Sequence, residues 1–140
     1  MIYIVDHQDS FTWNVVHQFS EFNDVYCSNY FDINKKMLDK ADTIVLSPGP
    51  GSPKDYPSTS RLYNKYKGKK KMKFKVGRYH SLKLKEPFFS KNFEITMRCS
   101  KTNIAMAFEN KIDDIYGFQF HPESFLTTNG KILIKKILSA

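Results

Sequence analysis

Cysteine is scarce in this sequence: Cys27 and Cys99 are the only two among 140 residues. Two cysteines cannot form the disulfide framework of a small secreted protein, so a reducing compartment is the natural setting. No apolar run has the length that a membrane-spanning helix needs, and the start of the chain has the pattern of a strand, not of a signal peptide. We therefore expect a cytoplasmic protein that makes no membrane contact.

Acidic residues are also fewer than basic ones, 14 against 22, which gives a formal net charge of +8. The excess is concentrated in a lysine-rich run between Lys65 and Lys75. Such a run is usually a solvated surface segment. Nucleic-acid binding is the functional alternative, but no zinc-finger spacing, RNA-binding aromatic pair or helix-turn-helix pattern accompanies the run. We interpret it as solvated surface and expect no specific nucleic-acid binding.

The first half of the chain alternates short apolar runs with helical patterns. The predicted strands are residues 1–5, 24–28 and 43–47, and a short helix is predicted over 34–40. Apolar residues at helical spacing after the first strand predict another helix, with Asp9 or Ser10 as its cap. A third helix carries Leu62 and Tyr66 and has Ser58 as its expected cap. This alternation predicts a parallel sheet covered by helices on both faces.

The second half has a different pattern, with four strand candidates in close succession. They are residues 78–84, 93–98, 103–109 and 115–120, and a closing helix is predicted over 130–138. No internal repeat is present. The length suits one ordinary domain with its own core, so we expect residues 1–140 to form a single domain.

Five short stretches carry a resemblance to a known family. Three of them directly follow predicted strands: His121-Pro122-Glu123-Ser124, Ser47-Pro48-Gly49-Pro50-Gly51, and residues 6–14. In this order they resemble class I, or triad-type, glutamine amidotransferases. Residues 78–82 and 126–130 narrow the resemblance to the chorismate-using branch, the glutaminase components of anthranilate synthase and aminodeoxychorismate synthase. The resemblance covers nearly the whole chain and implies a flavodoxin-like, doubly wound α/β fold.

The family's chemistry assigns a role to two residues after the last predicted strand. Hydrolysis of the glutamine amide through a thioester requires a cysteine thiolate, a base that activates it and a group that orients the base. By the resemblance, His121 is the general acid/base and Glu123 is the residue that orients it. Outside this context, a histidine at a strand end would be a capping or packing residue.

Further stretches are implied to bind the substrate. The negative charge that develops on the amide oxygen requires fixed backbone N–H donors, and a Gly-Pro-Gly turn leaves its backbone open to a ligand. The resemblance assigns Gly49, Pro50 and Gly51 to the glutamine-side wall, with the Gly51 amide as an oxyanion donor. It assigns Ser81 and Leu82 to the amino-acid end of glutamine, which they would hold through their backbone. The structural alternatives are an ordinary surface turn and a plain strand.

The family's nucleophile segment is absent from this sequence. In the family, the helix after the third strand leads to another strand that ends in Gly-x-Cys-x-Gly; here the chain passes directly through residues 68–75 to Val76. We therefore infer an internal deletion near 68–75. Cys27, in a predicted strand, is expected to be buried and inert, and Cys99 has no turn or helix N-terminus behind it. A simple excision should leave neighbouring strands unpaired unless the sheet closes up or another chain fills the gap.

Two functions remain open at this point. The first is a glutaminase subunit that hydrolyses glutamine and supplies ammonia to a chorismate-binding synthase subunit in a heteromer, for tryptophan or folate biosynthesis. The second is an inactive, nucleophile-less remnant that binds the synthase, for which the segment Asp9 to Thr12 is a candidate contact. The product would be anthranilate or 4-amino-4-deoxychorismate. Neither function requires a metal or an organic cofactor.

Overall fold

The computed structural model describes residues 1–66, 71–75, 86, 91–124 and 126–139, with residues 71–75 described at the level of their backbone. Seven strands form one sheet in the order β2-β1-β3-β4-β7-β6-β5. The strands are β1 (Ile2–Asp6), β2 (Val25–Asn29), β3 (Thr43–Leu46), β4 (Lys71–Lys75), β5 (Glu94–Arg98), β6 (Ala105–Asn110) and β7 (Ile115–Phe118). The pairs β2–β1, β1–β3, β3–β4 and β4–β7 are parallel. Strand β6 is antiparallel to both of its neighbours, β7 and β5.

Four described helices accompany the sheet: α1 (Thr12–Ser20), α2 (Lys35–Lys40), α3 (Pro57–Tyr66) and α4 (Gly130–Ser139). Their order confirms the alternation of strands and helices predicted for the first half and the helix predicted at the end. Within the described part of the chain, no helix has the length and apolar character needed to cross a bilayer. The strand candidate at residues 78–84 lies outside the described residues.

A separate hydrophobic cluster lies on each face of the sheet. Ile4 of β1 packs with Val15 of α1 and Ile134 of α4 on one face. Tyr3, the next residue along the same strand toward the N-terminus, belongs to the cluster on the other face, with Tyr66 of α3. Successive side chains of a strand point to opposite faces, so a strand that is apolar at every position must be covered on both sides. The buried run of β1 therefore places it in the middle of a three-layer structure.

The structure corrects the interpretation of the lysine-rich run as solvated surface. Residues Lys71–Lys75 are not a solvated surface segment; they form β4, a central strand between β3 and β7. Val45 of β3 is in register with Lys73, and Tyr116 of β7 is in register with the same residue from the other side. The place between β3 and β7 that a deletion would leave open is therefore occupied by residues of this chain.

Backbone pairing explains why a lysine-rich segment takes this position. A central strand satisfies the N–H and C=O groups of both neighbours, and an unpaired buried backbone group costs about 1–3 kcal/mol. The sequence Lys-Met-Lys-Phe-Lys also alternates polar and apolar residues with the period of a strand. The backbone of β3 and β7 is thus paired by a segment whose composition is typical of a surface.

The start of α1 differs in detail from its predicted cap. Residue Phe11 precedes the helix, and no side chain caps it. The Asp9 carboxylate instead accepts a hydrogen bond from the Phe11 N–H at 2.8 Å, one residue before the helix. The Thr12 hydroxyl donates to Asp6 at 2.7 Å, which anchors the helix to the end of β1. Ser10 does not cap the helix, so the prediction of Asp9 or Ser10 as its cap was wrong.

The start of α2 is capped, and the start of α3 differs from the prediction. The Asn34 side chain accepts from the Met37 N–H and caps α2. Ser58 does not cap α3, because the helix already begins at Pro57. Proline is well suited to a first helical position, since its missing N–H would have no partner there. The Ser58 hydroxyl donates instead to the Tyr30 carbonyl oxygen at 3.0 Å.

Cys27 lies in the middle of β2, at one edge of the sheet. It is half-buried and not fully buried as predicted, because an edge strand has a neighbour on one side only. Its side chain packs against the cluster that contains Ile4 and Val15. Burial, with a smaller contribution from the charge of Asp6, raises the pKa of the Cys27 thiol to about 11.

We predict that Cys27 reacts slowly with thiol reagents in the folded protein. The thiolate is the reactive form, and each unit of pKa elevation lowers its fraction tenfold, so at pH 8 the rate should be about a hundredfold below that of an unperturbed thiol. A Cys99→Ala variant isolates Cys27, and the same protein in denaturant supplies the reference rate. Native labelling as fast as labelling in denaturant would contradict the prediction.

Candidate active site

His121 and Glu123 lie in the segment that follows β7. The Glu123 Oε1 atom is 2.8 Å from His121 Nδ1. The Glu123 side chain is 1% exposed and the His121 side chain is 20% exposed, and the His121 Nε2 atom itself is buried. A buried carboxylate at Nδ1 fixes the orientation of the imidazole, and proton transfer with a substrate would then occur at Nε2. The arrangement is one in which a buried carboxylate orients an imidazole ring.

The turn after His121 is held by its own backbone. The His121 carbonyl oxygen accepts hydrogen bonds from the Ser124 N–H at 3.1 Å and from the Thr127 hydroxyl at 2.7 Å. The Ser124 carbonyl oxygen in turn accepts from the Thr127 N–H at 2.9 Å. Pro122 ends the strand pattern because it has no N–H to donate to a neighbouring strand. These contacts fix the backbone that carries the His121–Glu123 pair.

Helix α1 and the residue before it contact the same turn through Gln18, which the sequence analysis did not select, and Phe11, which lies in the candidate contact segment Asp9 to Thr12. Gln18 is buried, and its Nε2 donates to the Pro122 carbonyl oxygen at 3.1 Å. The Phe11 ring lies 5.9 Å from the His121 ring, centroid to centroid. Gln18 stands three residues after Val15 on the buried stripe of the helix. A polar residue on a buried stripe is the signal that could have identified it.

Helix α4 approaches the turn still more closely. A Cβ atom added at Gly130 would lie 1.8 Å from the Pro122 carbonyl oxygen, a distance that no side chain can adopt. The Gly130 N–H also donates to the Thr127 carbonyl oxygen at 2.9 Å. The turn that carries His121 is therefore enclosed between α1 and the first residue of α4.

The Gly-Pro-Gly turn leaves the sheet after β3. Gly51 has a φ of +86°, which glycine adopts without strain, and a Cβ atom there would lie 2.6 Å from an Asp55 carboxylate oxygen. The same Asp55 oxygen accepts from the Ser52 N–H at 2.7 Å. The dihedral angle favours glycine at this position, whereas the contact with the exposed Asp55 carboxylate could be relieved by movement of that side chain.

The turn packs against a buried histidine, His7, which the sequence analysis included only within residues 6–14. His7 follows β1, and its Nε2 lies 2.7 Å from the Thr59 hydroxyl of α3. Its backbone N–H donates to the Ser47 hydroxyl at 2.8 Å. A Cβ atom at Gly49 would lie 2.6 Å from the His7 carbonyl oxygen, so the turn lies directly on this residue. Burial lowers the pKa of His7, which favours its neutral form.

The two segments share one edge of the sheet. Strands β3 and β7 both run parallel to β4, which lies between them, so their carboxyl ends point the same way. Adjacent strands are about 4.8 Å apart, which sets the separation of the two strand ends at roughly 10 Å. His121 and Gly51 therefore follow strand ends on the same edge of the sheet. Ser81 and Leu82, the other predicted substrate-binding residues, lie outside the described residues.

Neither cysteine lies close to His121, which follows the carboxyl end of β7. Cys27 is in the middle of β2, four strands from β7, which corresponds to roughly 19 Å. Cys99 follows β5, two strands beyond β7 on the other side, or roughly 10 Å. A nucleophile must come within about 3 Å of its base. Over the described ranges, no three His, Cys, Asp or Glu side chains are grouped as metal ligands would be.

We predict that Gly130→Ala destabilises the protein, although alanine is the better helix former. The added methyl group would press on the Pro122 carbonyl, and overpacking of this kind costs about 1–3 kcal/mol of unfolding free energy. Urea unfolding measures the change. Lys135→Ala, on an exposed position of the same helix, is the control and should leave stability within about 0.5 kcal/mol. Equal stability of the two variants would show that the contact is not tight.

Comparisons with known proteins identify the family to which the chain belongs. A family model described as "Glutamine amidotransferase class-I" matches residues 3–72 and 58–140. Anthranilate synthase component 2 of Lactococcus lactis is 30% identical over 186 positions, which cover 99% of this chain and 94% of that protein. The protein of the same name from Buchnera aphidicola is 29% identical over 191 positions, which cover 99% of this chain and 94% of the relative.

A solved structure supports the fold independently. A Thermoplasma acidophilum protein described as a GMP synthase subunit superposes with a TM-score of 0.77 at 18% identity, over 99% of this chain and 92% of that one. This likeness confirms the predicted doubly wound, flavodoxin-like α/β fold. With the family match over both halves of the sequence, it leads to one assignment: the chain belongs to the class I glutamine amidotransferase family.

Proposed function

We propose that this chain derives from a glutaminase subunit that supplies ammonia to a chorismate-using synthase. It retains the residues that would form the general base of such a subunit. The observation that carries the proposal is the His121–Glu123 pair, with 2.8 Å between Nδ1 and Oε1, at the carboxyl edge of a doubly wound sheet. Ligands of such sheets bind outside this edge. The Gly49–Gly51 turn on the same edge supplies the second part of a glutamine site.

Each of these residues has a defined task in the reaction. A cysteine thiolate would attack the side-chain amide carbon of glutamine, and the Gly51 N–H would stabilise the resulting oxyanion. His121 would then protonate the leaving nitrogen, so that ammonia departs and a thioester remains. In the second half, His121 would take a proton from water as the water attacks the thioester, which releases glutamate and restores the thiol. Glu123 would hold the ring and stabilise its charged form.

The identity of the relatives favours one product. The curated proteins from Lactococcus lactis and Buchnera aphidicola are components of anthranilate synthase. We therefore favour anthranilate, and hence tryptophan biosynthesis, over 4-amino-4-deoxychorismate and the folate pathway. Ser81 and Leu82 would hold the amino-acid end of glutamine, as the family resemblance implies.

An internal gap accounts for the missing cysteine. At least 46 positions of the alignment with the Lactococcus protein (186 less the 140 residues of this chain) lie opposite gaps in this sequence. The family model also matches in two parts, 3–72 and 58–140, which meet in the region of α3 and β4. Both observations support a deletion near residues 68–75, which removes the strand that ends in the nucleophile.

A second function, that of a partner-binding module, is favoured by the surface around the site. Four large apolar side chains are exposed on segments that follow the carboxyl ends of parallel strands. They are Phe11, Trp13, Phe31 and Leu126. An apolar group of this kind around a functional edge marks a protein interface. The occupant that the family implies is the synthase partner, whose docking needs no nucleophile.

We predict that the chain as written releases no ammonia from glutamine. Without a thiolate near His121, the base has no nucleophile to activate. A coupled assay of ammonia, read against a control without protein, measures the activity. Release above this control that disappears in a His121→Ala variant would contradict the prediction, because it would require a nucleophile that we have not identified.

We also predict that Trp13→Ala lowers the affinity for a purified chorismate-binding synthase by about 30-fold. Truncation of a central interface aromatic typically costs about 2 kcal/mol. Trp13 is 74% exposed. The matched control is Ile112, which is 77% exposed and lies in the β6–β7 turn, at the opposite end of the strands from the candidate site. In isothermal titration, the affinity of Ile112→Ala should equal that of the unsubstituted chain. Equal affinity of the Trp13→Ala and Ile112→Ala variants would place the interface elsewhere.

A further inference from the structure

The hydroxyl of Tyr56 donates a hydrogen bond to the Pro50 carbonyl oxygen. Tyr56 lies between the short helical turn Pro53–Asp55 and α3, so its ring returns over the Gly-Pro-Gly turn that precedes it. No sequence pattern selected this residue. The contact is informative because of the peptide unit to which the Pro50 carbonyl belongs.

The Pro50 carbonyl and the Gly51 N–H are two ends of one peptide group. This group is planar and trans, so its C=O and N–H point in opposite directions, and a partner that fixes the oxygen also fixes the N–H. Proline followed by glycine at a φ of +86° is the combination found at the centre of a type II turn. Rotation of this single peptide by half a turn gives a type I turn, in which the second central residue has a φ near −90°. The two states present the Gly51 N–H to opposite sides.

The Gly51 N–H has no acceptor among the residues that the structure describes, whereas its neighbours are engaged. The next N–H, of Ser52, donates to the Asp55 carboxylate at 2.7 Å. The Asp55 N–H donates back to the Ser52 carbonyl oxygen at 2.9 Å. The turn is therefore anchored on one side by Tyr56 and on the other by Asp55, with the Gly51 N–H available between them.

The Tyr56 ring is itself fixed by two aromatic neighbours. The His7 and Tyr30 rings lie 4.7 Å and 4.9 Å from it, centroid to centroid, and both meet it edge-on. His7 is buried and lies 2.7 Å from the Thr59 hydroxyl of α3. Because the ring cannot move without disturbing this cluster, its hydroxyl is a preset anchor for the turn.

We propose that Tyr56 is a positioning residue that selects the type II state of the turn and so presets the Gly51 N–H as an oxyanion donor. The role of Gly51 as a donor rests on the proposed function, but the selection of the turn state does not. Catalytic electrostatics depends on donors that are oriented before the reaction begins. Tyr56 supplies that orientation from outside the reacting atoms.

The test compares two variants that each lose a single hydroxyl group. Tyr56→Phe removes the donor to Pro50, whereas Tyr30→Phe removes a hydroxyl that has no hydrogen-bond partner within the described ranges and keeps the same aromatic cluster. Protein labelled with ¹⁵N-glycine gives at most six backbone amide signals, so the Gly51 signal can be assigned and its relaxation dispersion measured. The Gly117 and Gly130 signals report whether each variant remains folded.

We expect the minor, flipped population of the Gly51 peptide to rise about fivefold in Tyr56→Phe, the effect of losing one ordinary hydrogen bond. Tyr30→Phe should keep the population of the unsubstituted protein. An unchanged Gly51 signal in a folded Tyr56→Phe variant would overturn the proposal. An equal change in both variants would also overturn it, because the effect would then belong to the packing of the cluster.

Addition of glutamine separates this proposal from the proposed function. If the Gly51 signal of the unsubstituted protein shifts with glutamine and the shift is reduced in Tyr56→Phe, the donor role is supported. If glutamine shifts no signal in any variant, the proposed glutamine site fails. The Tyr56-dependent population of the flipped peptide would in that case still establish the selection of the turn state.

Discussion

Pairing of the backbone between β3 and β7 is the constraint on which the rest of this structure depends. Both strands lie inside a parallel sheet, and each needs a neighbour for its N–H and C=O groups. The chain meets this need with Lys71–Lys75, a segment whose composition alone would place it in solvent. With β4 in place, the flanking strands keep their register, and the segments that follow β3 and β7 remain on one edge. The candidate site is a consequence of this pairing, since no contact within the site itself could hold its two halves together.

The two halves of the site are supported by different parts of the molecule. The turn that carries His121 is enclosed by Gln18 of α1 and Gly130 of α4, on one face of the sheet. The Gly-Pro-Gly turn rests on His7 and the ring of Tyr56, next to α3 and the other face. No supporting residue of either half belongs to the region near 68–75. This separation explains why the His121–Glu123 pair and the Gly-Pro-Gly turn each keep their geometry although the sequence between β4 and Arg78 has no cysteine.

The sequence predicted the parts of the fold in which one local signal dominates. The apolar run of β1 and the spacing of Val15 and Phe19 in α1 were sufficient for those elements. The position of β4 was not predictable in this way, because the need of its neighbours for a partner is visible only once the strands are arranged in space. The same holds for the contacts of His7 and Gln18, whose partners lie 52 and 104 residues away along the chain. Local patterns identified the candidate catalytic pair, and the long-range contacts that orient it became visible only in the fold.

The strand order also indicates where a nucleophile would have to stand. A group at the carboxyl end of β4 would lie one strand spacing, about 4.8 Å, from the ends of both β3 and β7. From that position alone it would face the Gly51 amide on one side and His121 on the other. The sequence continues from β4 as Val76-Gly77-Arg78, without a cysteine. The segment Lys71–Lys75 thus fills the place of the strand that would present the nucleophile, between the ends of β3 and β7, and the sequence that follows it brings no thiol to that point.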